Sequence, residues 1–429
     1  MTSVLATFSE LKKHVNLKVS REVPAIDNII FKLHYRATFL ILLVSTLLVS
    51  SRQFIGEHIR CIADAGVPGP VIDSFCFFTS TFTVVKHMNV TALEEGEIPH
   101  PGVGPAAKRD EITHHAYYQW VPFVLFFQAL LFYLPHYLWR SAEAYLNAFV
   151  GGRLKMLVSG LHLASISLRE DAFTTENGIN VPSKKDKEDK INQIRTAFMN
   201  RLHLNRPWAY YLGICELMNF LNVLMQMYIT NKFLGGAFLS LGQDVAETDF
   251  TRQMDALDEV FPKVTKCTFH KYGPSGGIQK HDALCVMALN IINEKIYTFL
   301  WFWFIILAIL TALGLAWRVL TMMLHSRSTY FNEMVFKVAC PGKYNPWDVL
   351  KVTNDYYFGD WLFLYYIAKN VENYVFKELL QGLAQDLEER TRSMYRTLPQ
   401  VEKEPLKETD YSPKDAESPD EENSKTLLL

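Results

Sequence analysis

The stretch from Tyr117 to Arg140 decides the fold; it reads YYQWVPFVLFFQALLFYLPHYLWR. It is almost wholly apolar and long enough to cross a membrane, which takes roughly 20 apolar residues. Tyrosine and tryptophan gather at both ends, as they do where a spanning helix meets the lipid–water interfaces. It also contains Pro122 and Pro135. Because neighbouring helices can satisfy the backbone groups that a proline leaves free, the stretch predicts a helix within a bundle, kinked at Pro122.

Three other stretches share this apolar character. The chain has 429 residues, of which 49% are hydrophobic, and the apolar residues collect in long blocks separated by charged segments. We predict four membrane-spanning helices, at residues 37–51, 117–139, 208–230 and 296–317. A fifth apolar run, which follows Asp360, is too short to span and is expected to be the buried face of a soluble helix. The sequence therefore predicts an all-α membrane protein built on a four-helix bundle.

Basic residues predict which side of the membrane each segment occupies, because Lys and Arg favour the cytoplasmic side. Residues 140–206 carry eleven of them, against five in residues 52–116. The first residues lack the basic start and apolar run of a cleaved signal peptide, so internal spans are expected to direct insertion. Both termini are then expected to be cytoplasmic. The expected cytoplasmic segments are 1–36, the helical regions 140–207 and 318–398, and a disordered acidic tail, 399–429; the expected extracellular loops are 52–116 and 231–295.

Four of the six cysteines fall in the two expected extracellular loops. Cys61 and Cys76 lie in the first loop, and Cys267 and Cys285 lie in the second. Disulfides form in oxidising compartments, so we predict that all four are oxidised and that the loops form one disulfide-linked unit. Four cysteines allow three pairings, and the spacing does not choose among them. An alternative is a zinc site, because the second loop carries Cys267, His270, His281 and Cys285 in a C-x2-H…H-x3-C pattern.

The first expected extracellular loop also contains a glycosylation pattern. Asn89, Val90 and Thr91 match the N-x-[ST] acceptor sequence. We expect a glycan at Asn89 to be compatible with the predicted topology, since the residue lies on the extracellular side. A bulky polar group there would oppose close contact with another cell's surface.

A polar face runs along the third predicted span. Glu216, Asn219, Asn222 and Gln226 fall within about 120° of one another when each helical residue turns by about 100°. Such a face can line a wet cavity or a contact between subunits. It can also form hydrogen bonds between helices of one subunit, and we favour this second interpretation.

The regions expected in the cytoplasm differ in pattern. Apolar residues recur at helical spacing between 346 and 390, which predicts helices that pack into a cytoplasmic dome. The run KKDKEDK at 184–190 is expected to be a solvated loop. The first fifteen residues form a weakly amphipathic pattern that would suit a helix on the membrane surface.

Several of these stretches resemble the innexins, the gap-junction proteins of invertebrates. YYQWVPFVLFFQALLFY is similar to the innexin second-span signature, and AIDNIIFKLHYRATF (25–39) to the lead into the first span. TKCTFHKYGPSGGIQKHDALC and FGDWLFLYYIAKNV are similar to the second extracellular loop and to a C-terminal segment of the family. The resemblance covers residues 20 to 380, and the arrangement of two cysteines in each loop agrees with it.

The resemblance implies a subunit of a large-pore channel of the plasma membrane. Subunits, alone or with other innexins, would form a ring of eight in contact with membrane lipids, and two rings on neighbouring cells would dock through their extracellular loops. Ions and small molecules would pass without a cofactor, a metal or a chemical step. The resemblance also implies nested disulfides, Cys61 with Cys285 and Cys76 with Cys267. It places the N-terminal segment in the pore mouth, with Thr2, Ser3 and Thr7 partly facing water; a mobile cytoplasmic arm is the alternative.

Other functions fit the sequence less well. A hemichannel that never docks, as in pannexins, is the main alternative, and a four-span adhesion protein is another. The sequence contains neither the H-E-x-x-H motif of zinc proteases nor the G-x-x-x-x-G-K phosphate loop, and we expect no enzymatic activity. The formal net charge of −2 gives no reason to expect nucleic acid as a partner.

Overall fold

The structure is a computed structural model that places most of the chain. It describes residues 27–55, 59–63, 67–88, 95–96, 98, 100–107, 109–150, 184–200, 202, 205–247, 256–342, 345, 348–349, 352, 357–370 and 373–397. The statements below refer to these residues.

Four helices in this part of the chain are long and apolar enough to cross a membrane, which confirms the predicted architecture. Span 1 packs on span 2, span 2 on span 3, span 3 on span 4, and span 4 returns to span 1, so that the bundle is closed. Each helix overlaps its predicted span and most extend beyond it, because polar residues at the ends continue the helical hydrogen bonding. Spans 1 to 4 are Ile29–Arg52, Val121–Ala142, Arg206–Phe233 and Ala288–Leu324.

Span 1 is not a regular α-helix. An α-helical turn (α1, Ile29–Lys32) leads into a π-helical segment (Leu33–Thr38), and α2 (Phe39–Ile55) follows. The wider π-helical turn leaves backbone groups that the side chains help to satisfy. The Thr38 hydroxyl donates to the carbonyl of Leu33 at 2.9 Å and accepts from the indole Nε1 of Trp303 in span 4 at 2.9 Å.

A five-stranded antiparallel sheet closes one end of the bundle. The strand order is β1-β5-β4-β2-β3, and the sheet mixes strands from the two expected extracellular loops. The first loop supplies both edge strands and β2, whereas the second supplies the long β4–β5 hairpin in between. The hydrophobic patterning did not predict this sheet. The strands are β1 (Arg60–Ile62), β2 (Thr81–Val84), β3 (Ile112–His115), β4 (Val264–Tyr272) and β5 (Ile278–Val286).

Short helices accompany the sheet, and longer ones cover the opposite end of the bundle. Beside the sheet lie α3 (Gly69–Thr79), α7 (Leu241–Glu247) and α8 (Ala256–Val260). Span 1 comprises α1, the π-helical segment and most of α2, and spans 2 to 4 lie in α4 (Val121–Val150), α6 (Arg206–Phe233) and α9 (Ala288–Leu324). The opposite end carries α5 (Lys184–Asn200), α10 (Thr329–Ala339), α11 (Phe358–Asn370) and α12 (Asn373–Thr397).

Three hydrophobic cores hold these parts together. One lies under the sheet, one lies within the four spans, and the third joins the helices of the opposite end to the ends of the spans on that side. In the third core, Trp208 of span 3 contacts Phe363 and Tyr366 of α11 edge-to-face, with ring centroids 6.1 and 5.8 Å apart. Helix α11 is the short apolar run after Asp360, and it is buried against span 3 as expected.

Pro122, where the sequence predicts a kink, does not stand at a position that requires one. Pro122 is the second residue of α4, and a 3-10 turn, Tyr117–Gln119, precedes the helix. The first turn of a helix has N–H groups without helical partners, so a proline there removes no helical hydrogen bond and fits without a kink. The proline in the helix interior is Pro135.

The charged run at 184–190 also differs from its prediction. It forms the start of α5 (Lys184–Asn200) rather than a loop. Lys and Glu are good helix formers, and the rest of α5 anchors the helix by burying Ile191, Ile194 and Phe198 in the third core.

Candidate functional site

Two disulfides tie the two loops together within the sheet domain, which we define as β1–β5 with α3. Cys61 of β1 stands directly opposite Cys285 of β5, and their sulfurs are 2.03 Å apart. Cys76 of α3 is joined to Cys267 of β4 and fastens that helix to the sheet. This is the nested pairing that the resemblance implies. Together with the β1–β5 and β2–β4 pairs, the bridges make the two loops one body.

The zinc alternative does not fit this geometry. The sulfurs of Cys267 and Cys285 lie in disulfides, whereas zinc is bound by a free thiolate. His270 and His281 stand opposite Lys280 and Phe269, farther along the hairpin than the bridges. The spacing that resembles a zinc site therefore reflects the positions of these cysteines and histidines on two paired strands.

The β4–β5 hairpin projects beyond the rest of the sheet domain. Cys267 pairs with Ala283, and the hairpin continues for five more residue pairs, about 17 Å at 3.3 Å per residue, to Tyr272 and Ile278. These last two side chains stand opposite each other and are 77% and 69% exposed. A pair of large apolar side chains at an exposed tip is typical of a contact surface.

The turn at the tip of the hairpin explains a motif that suggests another function. Residues 273–277 read GPSGG, which matches the G-x-S-x-G pattern of hydrolase nucleophiles. That motif requires a turn from a strand into a helix, whereas here the segment joins two strands. Gly273 donates to the carbonyl of Gly277 at 2.8 Å, and Gly276 has a φ of +75°, which a glycine adopts without strain. The segment is a hairpin turn.

Two tyrosines anchor the sheet domain on span 2. The Tyr118 hydroxyl donates to the carbonyls of Cys76 and Phe77, at 3.4 and 3.3 Å, and burial raises the pKa of Tyr118 to about 12. Tyr117 packs edge-to-face on Phe233 and Phe261, and burial raises its pKa as well. The aromatic residues that the sequence suggested as an interfacial belt therefore include two that hold the sheet to the bundle.

A buried histidine lies at the edge of the sheet. His115 ends β3, and its Nε2 is 2.8 Å from the Thr83 hydroxyl of β2. Burial lowers the pKa of the His115 imidazole to about 4, and the neighbouring His114 acts in the same direction. The side chain is therefore neutral at physiological pH.

Glu216 of the predicted polar face forms a largely buried ion pair within the subunit, in which the two side chains are 12% and 13% exposed. Its carboxylate accepts from Nε and Nη2 of Arg318 in span 4, at 2.8 and 2.6 Å. The Asn28 amide, which precedes span 1, donates to Glu216 at 2.8 Å, and the Tyr366 hydroxyl of α11 lies 3.4 Å from the Asn28 amide oxygen. Spans 3 and 4 and the residue that precedes span 1 thus meet at one carboxylate, and α11 contacts the same cluster through Asn28.

The other polar residues of this face are buried as well. Asn219 borders a cavity of about 30 Å³ beside Glu216. Asn222 accepts from the Gln226 amide at 3.2 Å, and Gln226 faces a second cavity, between spans 2 and 3. Glu216 makes hydrogen bonds between helices of one subunit, as the favoured interpretation expects, whereas the Asn222–Gln226 bond lies within span 3 itself.

Comparisons with known proteins agree with this architecture. The family model described as Innexin matches residues 27–387. Innexin inx7 of Drosophila melanogaster is 47% identical over 386 residues, which are 89% of this chain and 85% of that protein. Innexin inx2 of Schistocerca americana is 44% identical over 85% of this chain and 94% of its own length. Innexin inx2 of Drosophila melanogaster is 41% identical over 84% of this chain and 91% of its own length.

The chain belongs to the innexin family. Innexins are subunits of gap-junction channels, which are oligomers in the membrane, and this innexin is a subunit of such a large-pore channel for ions and small molecules. The family is one of channels rather than of enzymes. The resemblance drawn from the sequence is confirmed.

Some of the predicted site residues of this innexin lie outside the described residues. The N-terminal 26 residues contain Thr2, Ser3 and Thr7, and the segment 89–94 of the first loop contains Asn89. The acidic tail from residue 399 onward lies outside as well. Sequence reasoning missed Asn28 and Arg318, which are the partners of Glu216. The available signal was an arginine directly after the most apolar predicted span, 296–317.

Proposed function

We propose that this innexin forms a ring of eight subunits in the plasma membrane and that two such rings, on neighbouring cells, dock through their sheet domains. The observation that carries the proposal is the disulfide-linked sheet with its projecting β4–β5 hairpin. Docking brings two preformed surfaces together, and a rigid body loses less conformational entropy on association than two free loops do.

The orientation follows from the arrangement of charges and the number of spans. The loops between spans 1 and 2 and between spans 3 and 4 share one sheet, so they lie on the same side of the membrane. Disulfides favour the extracellular side for this sheet, and the basic residues of 140–206 favour the cytoplasm for the opposite end. Both termini are then cytoplasmic. A protease-accessible tag at each terminus, cleaved only after permeabilisation of the cells, tests this orientation.

The exposed tip of the β4–β5 hairpin is the proposed contact between the two rings. Tyr272 and Ile278 present apolar surface at the end of the hairpin, and burying each against a second copy removes that surface from water. Changing both to serine is expected to abolish junctional currents between paired cells while hemichannel currents in single cells persist.

A matched control separates docking from folding. Val71 of α3 is 50% exposed and lies outside the hairpin, so Val71→Ser should leave both currents unchanged. Junctional currents that survive the double change at the tip would reject the hairpin as the contact. Loss of hemichannel currents as well would assign the tip to folding rather than docking.

Glycosylation at Asn89 would favour unpaired hemichannels over docked channels. A glycan at Asn89 would place a bulky polar group on the loop that must approach a neighbouring cell, and Asn89→Gln should then raise cell–cell coupling. A glycosidase-dependent gel shift reports whether the glycan is present. A shift together with unchanged coupling in Asn89→Gln would place the glycan away from the docking surface.

The N-terminal segment is proposed to line the pore mouth, with Thr2, Ser3 and Thr7 facing water. Cysteine substitution at each position, followed by a charged thiol reagent during recording, tests this placement. Reduced current after reagent at these positions would support a pore-mouth location, and unaltered current at all three would favour the mobile arm.

A further inference from the structure

A cavity opens sideways between spans 2 and 3, near the end that carries the sheet domain. Its volume is about 300 Å³, which is the lower end of the range for ligand pockets. Its lining is mostly apolar, and Phe123 and Phe127 at its rim are 64% and 62% exposed on the outer surface of the bundle. A molecule dissolved in the membrane can therefore enter it from the side.

Two buried carboxamides face this apolar cavity with hydrogen-bonding capacity to spare. Gln128 and Gln226 line it and are only 2% and 0% exposed. The Thr230 hydroxyl donates to the carbonyl of Gln226, so it can only accept from the Gln128 Nε2, which leaves the Gln128 Oε1 without a donor. The Gln226 Oε1 likewise has no partner among the described residues. Buried polar atoms without partners are costly, and a bound donor would remove that cost.

The depth of these amides suits one class of membrane molecule. Span 3 has 28 residues, about 42 Å at 1.5 Å per residue, and so exceeds a hydrocarbon core of about 30 Å by about 6 Å at each end. Gln226 lies seven residues, about 10 Å, before the end of the helix at Phe233. The amides are then only about 4 Å inside the edge of the hydrocarbon, close to the level at which the hydroxyl of a membrane sterol lies.

We propose that this cavity binds a sterol from the leaflet on the sheet-domain side, with its hydroxyl between Gln128 and Gln226. A single hydroxyl can donate to one of the two free Oε1 atoms and accept the remaining N–H of the other carboxamide, and a flat apolar ring system packs on Phe123 and Phe127. Phospholipid tails carry no donor for the amides. The site depends on the described geometry of two spans and not on docking between cells.

Photolabelling of the full-length assembly in phosphatidylcholine nanodiscs tests this proposal. A photoreactive sterol with a free hydroxyl should label peptides from 121–131 and 226–233. Excess cholesterol should compete for this labelling, whereas the same sterol without its hydroxyl should compete about five- to tenfold less well, the effect of losing a buried hydrogen bond.

Variants of the two glutamines provide a second test of sterol binding. Gln128→Leu and Gln226→Leu remove the amides at similar volume and should reduce labelling about five- to tenfold. The matched control is Tyr228→Leu, which removes an exposed hydroxyl from the same helix and should leave labelling unchanged.

Three outcomes would overturn the proposal. One is equal competition by the hydroxyl-free sterol, which needs no variant and so remains decisive if the glutamine variants fail to fold. Another is labelling that is unchanged in the folded glutamine variants. The third is a photoreactive residue at position 127 that cross-links to a second subunit instead of to lipid, which would show that a neighbouring copy fills the cavity.

Discussion

The carboxylate of Glu216 is held by donors from two other parts of the chain, Arg318 and Asn28. A buried ion pair adds little net stability over a well-packed apolar pair, but the loss of one partner leaves the other charge uncompensated. The polar face that contains Glu216 could be predicted from helical spacing alone. Its partners could not, because they depend on which face of span 4 packs against span 3.

We predict that Glu216→Gln destabilises the subunit by up to about 3 kcal/mol, because it leaves the charge of Arg318 unpaired between the spans, where both side chains retain some exposure. Arg318→Gln should cost a similar amount, and the double variant should recover part of the loss. Thermal unfolding of the solubilised assembly measures all three. A double variant that is less stable than either single variant would contradict the pairing.

His115 gives the sheet domain a defined pH dependence. Its pKa is about 4 in the folded protein and about 6.5 when unfolded, so the unfolded state binds its proton first as the pH falls. The stability from keeping His115 neutral is fully present above pH 6.5, and up to about 3 kcal/mol of it is lost as the pH falls towards 4. Melting temperatures at pH 7.5 and pH 5 should therefore differ more in the wild type than in His115→Gln. Identical pH dependence in the two proteins would refute this role.

At the level of elements, the long apolar helices were predictable and the sheet was not. A span shows itself by about 20 apolar residues in a row, whereas β1, β2 and β3 have only three or four residues each. The β4–β5 hairpin did carry a signal, since the burial of β4 alternates up to Cys267 and a glycine-rich turn follows. The predictions for this segment used only the spacing of its cysteines and histidines.

The disulfides are expected to be needed for the sheet domain. Each closes a long loop, with sequence separations of 224 and 191 residues, and a disulfide of this kind contributes about 2 to 5 kcal/mol. Changing Cys76 and Cys267 together to serine should reduce delivery to the cell surface, as measured by surface biotinylation. Cys340→Ser, at a cysteine outside the two disulfides that donates to Asn373, is the control and should behave as the wild type. Free thiols at Cys61, Cys76, Cys267 and Cys285 in non-reduced mass spectra would contradict the pairing itself.

The two prolines of α4 are expected to differ in effect. Pro122→Ala should leave conductance unchanged, because the first turn of the helix loses no hydrogen bond to this proline. Pro135→Ala restores an N–H in the helix interior and should change gating or conductance. Recordings at matched surface expression compare the two. Altered currents in Pro122→Ala alone would reverse this assignment.

The described part of the subunit contains three hydrophobic cores, which lie under the sheet, within the spans and at the opposite end of the bundle. The sheet core is joined to the spans through Tyr117 and Tyr118, and the helices at the opposite end are joined to them through Trp208 and the cluster around Glu216. The family was recognisable from the sequence because its spans and loops carry specific motifs. The helices at the end opposite the sheet required the structure, since their burial arises from contacts between segments far apart in the chain.

The most direct test of the account is the junctional conductance between two paired cells that lack other gap-junction proteins and both express this innexin. We predict a junctional current, accompanied by transfer of a small dye, that is lost when Tyr272 and Ile278 are changed to serine in both cells. Wild-type protein present at the surface of both cells, but without junctional current or dye transfer, would contradict the proposed docked channel.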